Sequence, residues 1–443
     1  MSVTGEGLMN SDPAPTTRRA SLQARMLAAI FVMSFALDFK GNAGGSLIQY
    51  VMAGVNTIAF LLLAARYRLT LRGSGLATFV FWGWVAFLLT GSVGALLNDV
   101  PFDHYMRTIY PYALFAEGFL VAWWVARDAR GATTLVAAML FAAVVSLLFT
   151  FWWGFHFSGE NAQVIRYQIL SPLIPFLVVV AGYDLFFARR RRLRSLVILV
   201  TVFSVIALAV TRGMLLVVGM VGVAVLAAWL WNGIRGAISL PRPIARAFAW
   251  GSVIGILGLL TALIVAPDVV ARWVNRSLGV GHDITFWSRV AAVIGQWNQL
   301  VASPVSWLAG NGFGHSYHYA QTFAHLVVPG ISPTAFAAPM WFPGEFMWMT
   351  PIYYAGIIAG GLAIGILLWG ALRSFHILRL LLRQHAWRLV TTRPIWVGVL
   401  GYFAFLGLGF TANPFIIRLS ALFMGLSLGL TIAAVRGMPD YTR

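Results

Sequence analysis

Hydrophobic residues in this 443-residue chain gather into long spans that short polar connections separate. Most of the spans are close to the roughly 20 residues that a helix needs to cross a membrane. The pattern predicts an all-α polytopic membrane bundle of about 12 transmembrane helices, placed at 22–39, 46–66, 75–97, 105–126, 132–155, 167–188, 195–211, 213–232, 248–266, 349–372, 394–413 and 415–435.

The composition agrees with a membrane protein. Hydrophobic residues make up 60% of the chain and charged residues only 10%, which is too little polar surface to cover a water-soluble globule of this size. We expect residues 1–20 to be a short disordered cytoplasmic N-terminus and residues 21–443 to be a single integral membrane domain. The chain contains no cysteine, which removes disulfides, thiolate nucleophiles and thiolate metal sites from consideration.

The positive charge, formally +18, lies mainly in alternate connections between the predicted spans. If the N-terminus is cytoplasmic, 23 of the 30 arginines fall on the cytoplasmic side, as the positive-inside rule requires. This placement argues against a nucleic-acid-binding surface. It predicts that both termini lie in the cytoplasm.

One connection, 267–348, is much longer than the others and falls on the predicted outer side of the membrane. Loops of this length usually have a function. Within it, residues 285–302 place apolar side chains at helical spacing, which predicts an amphipathic helix lying along the bilayer surface. Its polar face would carry Arg289 and Gln296.

Seven arginines depart from the orientation bias and fall on the predicted outer side: Arg107, Arg166, Arg212, Arg272, Arg276, Arg289 and Arg418. Each alone is explained by snorkelling to lipid phosphate. Several around one loop would instead bind a doubly anionic group, because guanidinium groups bind phosphate oxygens bidentately. We expect Arg107, Arg166, Arg212, Arg289 and Arg418 to hold the diphosphate of a lipid-linked substrate.

Four segments, in this order, resemble the bacterial O-antigen ligase and O-antigen polymerase superfamily from about residue 100 onward: VTRGMLLVVGMVGVAVL (210–226), HDITFWSRVAAVIGQW (282–297), LAGNGFG (308–314) and EFMWMTPIYYAGIIAG (345–360). Members of that superfamily are polytopic, GT-C-type proteins with one large periplasmic loop. The resemblance implies a glycosyltransferase that takes its glycan from an undecaprenyl-diphosphate donor. It also implies a location in the bacterial inner membrane, with the large loop at 267–348 and the active site facing the periplasm.

The resemblance implies attack by a sugar hydroxyl on the anomeric carbon, with inversion and without a metal or cofactor. Such a step needs a base near the hydroxyl and positive charge on the departing diphosphate. Ligases of this family typically carry a histidine about eleven residues before a glycine, and Glu345 occupies that position before Gly356. Glu345 is therefore one candidate base, and a salt bridge to a loop arginine is its alternative role.

The second candidate base is His315, in the segment LAGNGFGHSYHYAQTFAH (308–325), which holds three of the eight histidines. Two other interpretations stay open: a zinc site, if the segment is helical, and a wet loop that faces sugar or lipid headgroups. The residues expected to contact glycan are Gly312, Gly314, Tyr317, His318 and Trp341. Outside this segment, we expect Glu117 to partner a buried arginine or hydroxyl, and Asp283 to orient Arg289.

Four functions are consistent with these patterns. The missing ligase histidine favours a polymerase of O-antigen or exopolysaccharide repeat units, for which the donor and the acceptor are both lipid-linked saccharides. A ligase would transfer the glycan to lipid A core. A transporter or flippase would line a path with the arginines, and a scaffold would leave the arginines unexplained. We favour a glycosyltransferase over a transporter because the polar residues gather at one face of the membrane and not along a path through it.

Overall fold

A computed structural model of the chain describes residues 15–38, 47–68, 75–157, 168–188, 192–209, 212–234, 284–327, 333–341, 346–384 and 389–436, with a few single residues between them. These residues are almost entirely helical, and their one β-type contact is an isolated bridge between Tyr317 and Met340. The helices are α1 Pro15–Met33, α2 Leu47–Tyr67, α3 Gly75–Leu97, α4 Phe102–Val125, α5 Ala129–Phe157, α6 Ile174–Gly182, α7 Arg192–Ala209, α8 Arg212–Ile234, α9 Ile284–Val301, α10 Pro304–Ala309, α11 Ala324–Val327, α12 Pro333–Ala337, α13 Thr350–Arg383, α14 Arg393–Leu408 and α15 Arg418–Arg436.

The predicted all-α class is confirmed, and a helix occupies each predicted span whose residues are described. The span predicted at 248–266 lies outside the described residues. Helix α1 begins at Pro15, and the prediction that residues 1–20 form a disordered cytoplasmic N-terminus stays a prediction. Proline is favoured at the first helical position, where its missing N–H costs nothing.

Five of the described helices are long and apolar enough to cross a membrane by length and composition: Leu47–Tyr67, Gly75–Leu97, Ala129–His156, Gly213–Gly233 and Thr350–Arg383. The span predicted at 167–188 is shorter than expected. Its helix α6 begins only at Ile174 and continues as a π-helical turn, Tyr183–Phe187. Pro172 and Pro175 account for the late start, because proline disfavours a helix continuing through the residues before it.

Helices α4 and α15 pack closely through glycines. Gly425 and Gly429 lie four residues apart on α15 and face the backbone carbonyls of Phe115 and Phe119 on α4, where a Cβ would clash. Gly118 on α4 likewise faces the Leu422 carbonyl. Small residues at this spacing allow two apolar helix backbones to approach. This close packing fixes the position of α4, whose N-terminal turns contact the long loop at Gly314.

An aromatic cluster fixes α3, α4 and the turn before α15 against one another. Trp84 donates its Nε1–H to the Tyr112 carbonyl at 2.9 Å, and its ring lies 4.2 Å from that of Phe115. Tyr112 in turn stacks on Phe415 at 4.4 Å between ring centroids. All four side chains are fully buried. The cluster sets the position of the N-terminal half of α4 relative to the loop above it.

Candidate functional site

The glycine-rich turn at 310–314 is wedged between three helices. Gly310, Gly312 and Gly314 have φ values of 77°, 90° and 82°, which favour glycine. A Cβ at these positions would clash with the backbones of α13, α3 and α4, in that order. Gly312 and Gly314 are buried. They face protein backbone rather than an open surface, so the structure does not support the expectation that they contact glycan.

The turn is joined to a break in α13. Ala355 and Gly356 have non-helical backbone angles, and Gly356 has φ 73° and ψ 177°. The carbonyls of Tyr353 and Tyr354, just before the break, accept hydrogen bonds from the N–H groups of Asn311 and Gly312 at 2.8 and 3.0 Å. Carbonyls that a broken helix leaves unpaired are thus satisfied by the turn. This arrangement holds the residue after Gly314 at a fixed place.

That residue is His315, which is half-buried. Its Nδ1 lies 2.9 Å from the Tyr353 hydroxyl oxygen, which also lies 2.8 Å from Gln299 Oε1 and 3.0 Å from the Ser316 carbonyl oxygen. Burial lowers the pKa of His315 below its ordinary value, and a hydrogen bond to the backbone of Ser316 offsets part of this effect. The imidazole is therefore neutral at neutral pH, the form that can accept a proton.

Two other predicted glycan contacts lie in the same segment. Tyr317 is only 1% exposed and pairs with Met340 through two backbone hydrogen bonds of 2.8 Å, so its ring cannot stack on a sugar in this conformation. His318 is exposed, and its Nδ1 lies 3.3 Å from the Ala337 carbonyl oxygen. Residues 310–320 are not helical, so the condition on which the zinc interpretation rested is not met.

Trp341 and Arg107 come together at the N-terminal turns of α4. The Trp341 ring stacks on His104 with centroids 4.2 Å apart and planes within 5°. The Arg107 guanidinium carbon lies 5.8 Å from the Trp341 ring centroid, within cation–π range. Gly314 contacts the His104 backbone, so this cluster adjoins the His315 segment. A cation and an aromatic ring side by side suit a glycan that carries phosphate.

Arg418 is engaged elsewhere. Its Nε and Nη2 donate to the two carboxylate oxygens of Asp38 at 3.0 and 2.8 Å, and Gln49 Nε2 donates to the same carboxylate at 3.2 Å. Asp38 is 7% exposed. The expectation that Arg418 binds diphosphate is therefore not supported, because a buried carboxylate already neutralises its guanidinium in bidentate geometry.

The remaining predicted residues are only partly described. Arg289 is half-buried on α9, and Arg212 is the first residue of α8, although its side chain lies outside the described residues. Arg166, Arg272, Arg276, Asp283 and Glu345 lie outside them altogether.

The backbone on either side of Glu345 is nevertheless described. Gly344 is buried, and its carbonyl accepts a hydrogen bond from Asn413 Nδ2 at 3.0 Å. At the same end, Gly213 on α8 contacts Thr411, two residues before Asn413. The first turn of α8 therefore approaches the segment that leads into Glu345.

Two polar residues differ from expectation. The amphipathic helix predicted at 285–302 is confirmed as α9, but Gln296 is 1% exposed and lies against Gly344, because the loop covers this face. Its Nε2 has no hydrogen-bond partner among the described residues. Glu117 is placed within α4, and its buried Oε2 likewise has no partner among them, contrary to the expected arginine or hydroxyl.

The sequence did not identify four residues that shape this region: Asp38, His104, Gln299 and Tyr353. Asp38 had a usable signal, because a carboxylate near the end of a predicted span requires a partner, and the outer arginines were candidates. Gln299 follows Gln296 by three residues and so lies near the same helix face. Tyr353 and His104 gave no usable signal in the sequence, since an aromatic residue or a histidine at the end of a span is ordinary in membrane proteins.

Comparison with known proteins adds little to this geometry. No protein-family profile matches the chain. A stretch of 68 residues is 38% identical to part of the 5'-nucleotidase SurE of Geobacter sulfurreducens, covering 15% of this chain and 26% of the nucleotidase. The chain thus spans about a quarter of that relative's length. A match of this extent shows neither family membership nor a shared fold.

Proposed function

We propose that the chain is a membrane glycosyltransferase that polymerises O-antigen or exopolysaccharide repeat units carried on undecaprenyl diphosphate. In this proposal about 12 helices span the bacterial inner membrane, both termini are cytoplasmic, and the long loop caps a periplasmic active site. The observation that carries the proposal is His315, which is half-buried and held by Tyr353 beside a cluster of Trp341 and Arg107.

The proposed reaction is a single displacement. The acceptor hydroxyl loses its proton to a base, its oxygen forms a bond to the anomeric carbon of the donor, and the bond from that carbon to the diphosphate breaks. We assign the base to His315, whose neutral imidazole is suited to the role, and keep Glu345 as the alternative. Inversion at the anomeric carbon follows from one displacement.

The departing diphosphate needs positive charge. We assign this role to Arg107, Arg289, Arg212 and Arg166, and omit Arg418 because Asp38 occupies it. The first turn of α8 supports the inclusion of Arg212, since a helix N-terminus carries partial positive charge that favours anions. Guanidinium groups stay charged at any working pH, so these arginines can stabilise the leaving group in the absence of a metal.

A direct assay separates the possible functions. Purified protein is incubated in liposomes with an undecaprenyl-diphosphate oligosaccharide, and the products are resolved on a gel. We expect a ladder of products that grow by one repeat unit. A single shift that requires lipid A core would identify a ligase, and movement of the donor across the bilayer without product would identify a transporter; either result would overturn the polymerase proposal.

A further inference from the structure

We propose that Tyr353 and Gln299 are positioning residues that hold His315 with its proton on Nδ1, so that Nε2 is the atom that takes the proton of the acceptor hydroxyl. This inference rests on the proposed function and deepens it by naming the reacting atom and the residues that prepare it. A base that is oriented by a third group recurs in enzymes that activate hydroxyl groups.

The Tyr353 hydroxyl has a single hydrogen to donate. Three groups surround its oxygen: His315 Nδ1 at 2.9 Å, Gln299 Oε1 at 2.8 Å and the Ser316 carbonyl oxygen at 3.0 Å. Both oxygens can only accept, so the single hydroxyl hydrogen is directed to them. The hydroxyl oxygen therefore presents a lone pair to Nδ1, and Nδ1 must carry the hydrogen of that contact.

This assignment fixes the rest of the ring. A neutral imidazole has one N–H, so a proton on Nδ1 leaves the lone pair on Nε2. In the transfer step, the acceptor hydroxyl gives its proton to Nε2, its oxygen bonds to the anomeric carbon, and the bond to the diphosphate breaks. The imidazolium that forms keeps its Nδ1–H hydrogen bond to Tyr353, which stabilises the developing positive charge.

The tyrosine is itself well placed to hold the ring still. Tyr353 is fully buried in the first turn of α13, and its carbonyl accepts the N–H of Asn311 at 2.8 Å just before the break at Gly356. Gln299 reaches the hydroxyl from α9, a separate element. Three parts of the fold, α13, α9 and the loop, thus converge on the Tyr353 hydroxyl and restrict its orientation.

Among the described residues, the titratable and charged groups that contacts place near His315 are Tyr353 on α13, Tyr317 in the same loop, and His104 with its neighbours Asp103 and Arg107 at the start of α4. Helix α9, which supplies Gln299, also carries Arg289. Tyrosines and arginines ordinarily titrate well above the pH range of a histidine, so neither type changes charge in that range. His104 is a second histidine in this group, and the test must control for it.

The test compares adjacent tyrosines. Tyr353→Phe removes the hydroxyl that contacts His315, whereas Tyr354→Phe removes a buried hydroxyl that has no hydrogen-bond partner among the described residues. In the liposome transfer assay we expect kcat to fall at least about 10-fold for Tyr353→Phe with KM for the donor unchanged, as for loss of an orienting partner. Tyr354→Phe should match the wild type. Gln299→Glu, which keeps an acceptor, should transfer better than Gln299→Leu.

The acid limb of the pH profile, where glycan transfer falls as the pH is lowered, gives a second measurement. A purely structural role of Tyr353 would not shift this limb. Loss of the Tyr353 hydroxyl as an acceptor disfavours the imidazolium even while the hydrogen bond to the Ser316 backbone remains, so the limb should shift to lower pH in Tyr353→Phe and stay unchanged in Tyr354→Phe. His104→Gln should keep the wild-type acid limb. This result would show that the limb does not arise from the neighbouring histidine. A limb unmoved in Tyr353→Phe, or moved equally in both tyrosine variants, would overturn the inference.

Nitrogen-15 NMR of the histidine-labelled protein reads the tautomer independently of activity, with His315→Gln assigning the signal. We expect Nδ1–H in the wild type and loss of that preference in Tyr353→Phe. If the wild-type ring carries its proton on Nε2 and the wild type still transfers glycan, the inference is wrong and the proposed function stands. No transfer by the wild type overturns the proposed function and the proton acceptance assigned to Nε2, and the spectrum still decides whether Tyr353 fixes the ring.

Discussion

At the scale of single residues, the most consequential contact is the pair between Arg418 and Asp38. The two residues are 380 positions apart in the sequence and join the first turn of α15 to the end of the α1 segment. Phe35 lies between them and α4, with its ring 5.8 Å from the Arg418 guanidinium and 6.0 Å from Tyr110. The arginine therefore ties three parts of the bundle together at the level of the candidate site.

Removal of Arg418 should destabilise the protein through the carboxylate that it leaves behind. We expect Arg418→Ala to cost about 3–5 kcal/mol, because Asp38 would remain buried without its charge partner. The double variant Asp38→Ala with Arg418→Ala should recover most of that loss in thermal unfolding. It should also retain glycan transfer per folded molecule. A double variant that folds like the wild type but does not transfer would place Arg418 among the substrate ligands after all.

At the scale of elements, the break in α13 determines where the loop is attached. Gly356 has φ 73° and ψ 177°, a region almost exclusive to glycine, and a Cβ there would overlap the backbone of Leu308. Gly310 makes the reciprocal close approach to Tyr354. The two glycines thus let two backbones pack at a distance that no other residue permits, and this places His315 beside Tyr353.

We expect Gly356→Ala to lower stability by more than the roughly 1–3 kcal/mol of backbone strain alone, since the overlap adds to it. Glycan transfer should fall with it. Gly361→Ala is the matched control in the same helix, because nothing lies within 4 Å of its added methyl group. That change should be neutral or stabilise by up to about 1 kcal/mol. Thermal unfolding of the two variants checks this, and equal midpoints would contradict the role assigned to the break.

Hydropathy predicted the elements well. In lipid, a run of about 20 apolar residues can satisfy its own backbone N–H and C=O groups by forming a helix. The same signal cannot show features that depend on tertiary contacts. Nothing in the apolar run around Gly356 distinguishes a broken helix from a straight one. Likewise, Gln296 was predicted on the polar face of a helix lying along the bilayer surface, and only the packed loop shows why this residue is buried.

The candidate site was predicted in part for the same reason. His315 and Trp341 were singled out because polar and aromatic residues in a long outer loop are conspicuous against an apolar chain. Tyr353 and Gln299 were missed because their function depends on the distance to His315, which sequence separation does not reveal. The glycines of the turn were recognised as special, but their close neighbours turned out to be helices rather than substrate.

At the scale of the whole molecule, the proposal requires the loop and the end of α13 to lie on opposite sides of the membrane. Helix α13 has 34 residues, which at about 1.5 Å per residue is more than enough to cross the roughly 30 Å hydrocarbon layer. His318 is exposed in the loop before it, and Gln384 is exposed at its C-terminal end. These two positions report on a single crossing.

The chain contains no cysteine, so one introduced thiol can be labelled without background. In spheroplasts treated with a membrane-impermeant maleimide, we expect His318→Cys to be labelled and Gln384→Cys to be protected until the membrane is permeabilised. This result follows if arginines in the predicted cytoplasmic connections keep those connections inside. The reverse pattern would move the candidate site to the cytoplasm, where a periplasmic polymerase could not work. Labelling of both positions in sealed spheroplasts would mean that α13 does not cross the bilayer, and the bundle proposed here would need a different arrangement.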